Sequence, residues 1–241
     1  MSSDRQLHLH RLATEEFDVV IIGGGITGVG VALDATTRGL RTALVERDDF
    51  ASGTSSKSSK LIHGGIRYLQ QGEVKLVYEA LHERQRLRRN APHLVHILPF
   101  MIPILTKDGL VSRKISRALG IALWTYDFTG GWRIGKFHRR LKSKDASAHV
   151  PTIPGERIAS GYIYYDATAD DARLCLAVAR TAAEQGAAIA NQCKVERVLH
   201  DKDGQVRGVL VQPSSGDAFE VRARAVVNAA GVWADDVRKA D

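Results

Sequence analysis

Three stretches of this 241-residue chain gather residue types that do chemistry. The first is Gly23, Gly25 and Gly28, spaced G-x-G-x-x-G. That spacing allows a tight turn, lets a pyrophosphate approach the backbone, and opens a helix whose unpaired N–H groups favour negative charge. Glu46 follows 18 residues after Gly28, where a carboxylate accepts hydrogen bonds from ribose hydroxyls. The second stretch is T-S-S-K-S-S-K-L-I-H-G-G-I-R-Y at 54–68. Its hydroxyls and lysines suit a polar cofactor chain, and Gly64-Gly65 beside His63 suits backbone lying close to a flat ligand. The third is V-V-N-A-A-G-V-W at 226–233, a buried strand opening into a small-residue turn. Each has a plainer reading. Glycines serve any strand-to-helix turn, and Ser/Thr/Lys runs serve as linkers.

The elements around these stretches argue for the chemical reading. Residues 17–22 form an apolar run rich in β-branched side chains, as in a strand buried on both faces. A helical pattern follows with Ile26, Val29, Ala32, Leu33 and Ala35, ending at Gly39, and 42–45 read as a second strand. This is a βαβ unit with an acid at its tip. It indicates a dinucleotide and leaves NAD and FAD both open. Further on, helices are expected over 73–90, 111–126 and 172–185, the last capped by Asp170 or Asp171. Strands are expected over 94–105, with edge or bulge positions at Pro99 and Pro103, and over 161–166 and 187–190. Residues 194–200, 206–212 and 218–221 form a meander, finished by a strand from 225. Residues 127–154 read as a basic loop suited to a mobile cap, and 1–16 as a frayed lead-in.

Composition bounds the class. With 44% hydrophobic and 25% charged residues, the chain is an ordinary globular protein. No stretch reaches the ~18 consecutive apolar residues of a membrane span. Cys175 and Cys193 lack metal spacing and read as small buried side chains, so no metal site is expected. The net charge of +7 comes from clusters at 84–89 and 133–144, not arranged to read nucleic acid. The second cluster interleaves Trp132, Ile134, Phe137 and Leu141 with basic residues, a pattern that suits peripheral contact with an anionic membrane or a solvated face.

Taken in order, the βαβ with Glu46, the S-S-K-L-I-H-G-G-x-R-Y stretch and the terminal V-V-N-A-A-G-V-W resemble the FAD-dependent glycerol-3-phosphate dehydrogenases. That family lies within the D-amino-acid-oxidase-like flavoproteins, and the D-D-A-R-L run at 170–174 is also similar to it. The resemblance implies an α/β fold: a Rossmann-like FAD-binding domain of glutathione-reductase type with part of a mixed-sheet substrate domain. It divides the chain into 17–93 and 166–241 for FAD and 94–165 for the partial substrate or cap domain. It implies that Gly23, Gly25 and Gly28 hold the pyrophosphate and Glu46 the adenosine ribose, with Arg47 among the cofactor residues. Thr54, Ser55, Ser58, Ser59 and Lys60 would line the cofactor chain, with Leu61 and His63 near the flavin ring. The Val195 backbone would face the adenine, and Ala230 and Gly231 would approach from the last strand.

The implied reaction is oxidation of sn-glycerol 3-phosphate to dihydroxyacetone phosphate by hydride transfer to flavin N5, with electrons passed to a quinone. His63 is the candidate base, or a ring fixed by backbone hydrogen bonds. Arg67 is the candidate contact to substrate oxygens, or an ion-pair partner of the next helix. Tyr68 reads as a packed aromatic. The expected setting is cytoplasmic, peripheral on the inner face of the cell membrane, with a homodimer open. Family members are considerably longer, so the expectation is the N-terminal part of such an enzyme. An oxidase passing electrons to oxygen and a non-catalytic FAD-binding fragment are the alternatives.

Overall fold

A computed structural model describes residues 2–69, 71–106, 113–130, 134–239 and 241, without the side chains of residues 2–4, 67, 69, 113–115 and 117. Lys60–Ala169 forms one compact unit, and the residues before and after it form another.

The outer segments build a six-stranded sheet. Its strands are β1 (Glu16–Ile22), β2 (Thr42–Val45), β7 (Ala188–Ala190), β8 (Cys193–His200), β9 (Val206–Pro213) and β10 (Phe219–Asn228). The order is β7-β2-β1-β10-β9-β8, parallel from β7 to β10 and antiparallel through β9 and β8. Parallel strands must be covered on both faces. On one face α2 (Ile26–Thr37) and α7 (Asp171–Glu184) bury Val29, Ala32, Cys175, Ala179 and Ala182 against Val19, Ile21 and Leu44. On the other, Val209 and Val211 of the meander share a core with Phe17, Val20 and Ala43.

α1 (Ser2–Thr14) completes that second face, where the sequence suggests a frayed lead-in. Leu12 is 0% exposed within the Phe17–Val20–Ala188 core. Arg5 Nη2 donates to the Asn191 carbonyl at 3.1 Å and Arg11 Nη2 to the Gly186 carbonyl at 3.0 Å. A segment read as polar is ordered by one buried leucine and its arginines. The sequence also divides β10 at 222–224. In the structure it is continuous, because Arg222 and Arg224 alternate outward from buried Val221 and Ala223.

The second unit contains β3 (Leu61–Ile62), α3 (Ile66–Leu69), α4 (Val74–Asn90), β4 (Val95–Leu105), α5 (Arg113–Thr129), β5 (Arg139–Lys142), α6 (Ser143–His149) and β6 (Ile158–Ala169). β6 is central, antiparallel to β4 on one side and to β3 and β5 on the other. Among the described residues β4 pairs only with β6, an edge that tolerates Pro99 and Pro103. The unit begins at 60 rather than at the expected 94. β3 pairs with β6, and α4 buries Val77 and Leu81 beside Tyr126 of α5. The expected mobile loop at 127–154 is in part ordered, since Leu141 and Ala146 pack under Ile158 and Ile163.

The packing of α1 makes a direct prediction. Leu12→Ala should lower the unfolding free energy by about 2–5 kcal/mol, measured by urea denaturation. An unchanged midpoint would mean that α1 does not contribute to the core.

Candidate functional site

The glycine turn is held by contacts that admit no side chain. Gly23 has φ +114°, and a Cβ there would stand 2.5 Å from the Ala229 carbonyl oxygen. A Cβ at Gly28 would collide with the Gly23 carbonyl oxygen. The end of β1, the start of α2 and the residue after β10 therefore meet backbone to backbone. The Gly23 amide donates to Val45 O and the Ala229 amide to Ile22 O, both at 2.9 Å.

Glu46 is an active part of this turn. Its Oε2 accepts from the Gly24 amide and its Oε1 from the Asp48 amide at 2.8 Å. A carboxylate has about four acceptor positions, so capacity remains for a ligand's hydroxyls. The strand ends are stitched around it. The Glu46 amide donates to Ala190 O at 2.9 Å, and the Cys193 amide to Glu46 O at 2.7 Å. These bonds bring Lys194, Val195 and Glu196 to the rim of the same cavity as Glu46.

α2 starts without a side-chain cap from Gly25 and without an acid in its first turn. Ser55 Oγ accepts from the Ile26 amide at 2.9 Å. The amides of Gly25, Thr27 and Gly28 have no acceptor among the described residues. Free donors at a helix N-terminus form an anion site. Beneath the turn, Cys175 donates its S–H to Gly24 O at 3.4 Å. Burial, aided by the charge of Glu46, pushes its thiol up to about 11, so it remains a neutral support.

These groups surround a cavity of about 700 Å³, within the usual range for a small-molecule site. Gly23, Gly25, Glu46 and Arg47 line it, as do Thr54, Ser55 and Ser58 from the hydroxyl-rich stretch. Val195, Ala230 and Gly231 also line it. Gly28 packs against the Gly23 carbonyl, and neither it nor Ser59 lines the cavity. Lys60, Leu61, His63 and Arg67 belong to the second unit. There, Lys60 O accepts from the Ala169 amide at 3.0 Å and Thr168 Oγ1 at 2.7 Å, Leu61 lies in β3, and His63 is exposed. Arg67 falls in α3, with its side chain outside the described residues.

Two contributors escape sequence reasoning. Trp233 stacks under the Arg47 guanidinium, 4.8 Å from ring centroid to Cζ, and a Cβ at Gly53 would stand 2.9 Å from its ring. Asp171 accepts from the Ser58 hydroxyl at 2.7 Å and amide at 3.1 Å, while Asp170 caps α7 through the Arg173 amide at 3.0 Å. The D-D pair was a visible signal, but only folding shows that its members divide the work.

The profile of the FAD dependent oxidoreductase family matches residues 18–241, and the chain belongs to that family. Among its relatives is the mitochondrial glycerol-3-phosphate dehydrogenase of Homo sapiens, 46% identical over 95% of this chain and 32% of that protein. The aerobic glycerol-3-phosphate dehydrogenase of Staphylococcus aureus is 41% identical over 100% of this chain and 43% of its own length. The chain thus spans less than half the length of these curated relatives. Among solved structures, the glycerol-3-phosphate dehydrogenase from Bacillus halodurans complexed with FAD aligns with TM-score 0.74 and 32% identity, covering 98% of this chain and 38% of that one. L-Proline dehydrogenase from P. horikoshii, 19% identical with TM-score 0.69 over 94% of this chain and 56% of that one, shares the fold. FAD is the family's cofactor, and the residues present fit it. Free amides at α2 suit a pyrophosphate, and the apolar lining residues Val45, Leu174 and Val195 suit a purine.

Two substitutions in α2 separate the turn from the helix. Gly28→Ala should cost the purified protein most of its FAD, read as the flavin-to-protein absorbance ratio. Gly30→Ala, whose Cβ meets no atom within 4 Å, should retain it. Equal retention in both would remove the close-packed turn from the binding site.

Proposed function

We propose that the protein binds FAD in this cavity and oxidises sn-glycerol 3-phosphate to dihydroxyacetone phosphate, electrons leaving to a quinone. The observation that carries this reading is the similarity of nearly the whole chain to glycerol-3-phosphate dehydrogenases, 46% and 41% identical in the two cases above. The free amides of the α2 turn support the cofactor half of it. In this reading Gly25, Thr27 and Gly28 hold the pyrophosphate, Glu46 the ribose, and the Val195 backbone the adenine. Arg47, Thr54, Ser55, Ser58, Ser59 and Lys60 hold the polar chain, with Ala230 and Gly231 against it. Leu61 and His63 serve the flavin end. His63 takes the proton of the substrate hydroxyl as its C–H bond breaks, and Arg67 binds substrate oxygens. Bound FAD supplies the acceptor for the two electrons.

The chemistry has a direct optical test. Anaerobic addition of glycerol 3-phosphate should bleach the visible flavin absorbance of the FAD-loaded protein, and His63→Ala should slow bleaching by at least ~10²-fold. A flavin that stays oxidised under excess substrate would refute the activity.

A membrane-facing surface belongs to the same proposal. Among the described residues no helix is long and apolar enough to cross a membrane. The sequence places an apolar stripe within 133–144, but Ile134 and Leu141 are buried, and Trp132 lies outside the described residues. The exposed apolar groups come instead from α5. Trp124 is 51% and Phe128 71% exposed, stacked at 5.5 Å, with Phe137 at 6.4 Å from Trp124. Lys136, Arg139 and Arg140 are exposed nearby in sequence. Aromatics beside cations suit the headgroup layer of an anionic bilayer. The protein should sediment with phosphatidylglycerol vesicles more than with phosphatidylcholine vesicles, and less in high salt. Trp124→Gln with Phe128→Gln should abolish that difference; sedimentation unchanged by the pair would dismiss this face.

A further inference from the structure

The most heavily invested polar group of the second unit lies inside it. Arg84 on α4 is 1% exposed, and Asp166 on β6 is 2% exposed. Arg84 Nη1 donates to Asp166 Oδ1, to Tyr126 Oη at 2.9 Å and to the Tyr165 carbonyl at 3.3 Å. Tyr126 Oη donates in turn to Asp166 Oδ1 at 2.6 Å. Both oxygens converge on one backbone group. The Gly64 amide donates to Asp166 Oδ1 at 3.0 Å and to Tyr126 Oη at 3.2 Å.

Nothing about packing alone asks for this arrangement. Buried ion pairs are commonly matched or bettered in stability by apolar side chains of similar volume. The surroundings are already apolar, with Val77, Leu81 and Tyr164 around Tyr126. Arg84 Nη2 is buried with no hydrogen-bond partner among the described residues, a cost that a residue kept only for packing would not carry. Asp166, Tyr126 and Arg84 come from three separate elements. Asp166 and Tyr126 share the Gly64 amide, and Arg84 donates to both of them.

Gly64 follows His63. On its N-terminal side Leu61 and Ile62 are registered against Thr168 and Ala167 in β6. On its C-terminal side Gly65 has φ +68° and accepts from the Tyr68 amide at 2.8 Å. A Cβ at Gly64 would collide with Leu81 Cδ2 and stand 2.5 Å from Tyr126 Oη, so the peptide lies directly on the cluster. His63 is thus exposed between two immobilised backbone points.

We propose that the Arg84–Asp166–Tyr126 cluster is a positioning device for His63, clamping the Gly64 amide and so setting the direction in which the imidazole projects. Arg84 is the outer member: it neutralises Asp166 and orients Tyr126, and touches no substrate. Burial, with Asp166 adding to it, raises the Tyr126 phenol far above its ordinary value, so the hydroxyl remains a donor throughout the working pH range. The inference rests on the reading of His63 as the base, but its test does not require turnover.

The full FAD-loaded chain, labelled with [15N]glycine and [13C]histidine, is compared with Tyr126→Phe and Asp166→Asn by NMR. Tyr126→Phe deletes one oxygen and leaves the ring in its apolar setting, and Asp166→Asn preserves shape while removing charge. In each, Gly64 amide exchange should quicken by at least tenfold, and the His63 imidazole resonances and titration midpoint should shift. The amide of Gly161, farther along β6, should keep its wild-type shift and exchange. Either of two results overturns the proposal. One is a His63 titration identical to wild type while Gly64 exchanges faster. The other is equal loss of protection at Gly161, which would make the cluster a general support of the unit. If His63→Ala still reduces its flavin at the wild-type rate, the base assignment fails while the clamp is judged separately by these spectra.

Discussion

One carboxylate ties together the glycine turn and the strand ends of the first unit. Glu46 leaves the tip of β2 and accepts from two backbone amides, Gly24 in the glycine turn and Asp48 in the loop beyond. Its own backbone connects β2 to Ala190 and Cys193. With one bond made by each carboxylate oxygen the turn is held from both sides, and the amides of Gly25, Thr27 and Gly28 have no acceptor among the described residues. A residue that the motif assigns to ribose also shapes the turn proposed to hold the pyrophosphate. Removing it would disturb the cradle as well as one contact, which ligand contacts alone do not reveal.

The second unit follows a different principle. Its sheet is an antiparallel set built on β6, covered on one side by α4 and α5. Its defining feature is a charge pair held out of water, with Asp166 also accepting from a tyrosine and a backbone amide and one guanidinium nitrogen of Arg84 left without a partner among the described residues. Low dielectric makes such bonds strong and makes an incomplete set costly. That trade suits a place where one peptide must not move. The aromatic face of α5, with Trp124 and Phe128 exposed, marks the contrasting surface of the same unit.

The sequence alone determined those parts in which spacing and chemistry coincide. The βαβ unit, the cysteines as buried side chains, the long α4 and α7, the edge prolines of β4 and the FAD family all follow from local pattern. Glycine at Gly23 and Gly28 has few competing explanations, because only it allows backbone to meet backbone there. Tertiary structure decided what depended on distant partners. Leu12 orders α1 only because Phe17 and Ala188 offer a core. Ser58 meets Asp171 across 113 positions of chain, and Trp233 finds Arg47. Ile134 and Leu141 turn inward while Trp124 turns out, and Leu141 is buried because β5 packs it under Ile158 and Ile163. Arg84 read as one charge in a basic run, R-Q-R-L-R-R. Its burial depends on a carboxylate 82 positions away, and no local periodicity encodes so long-range a pairing.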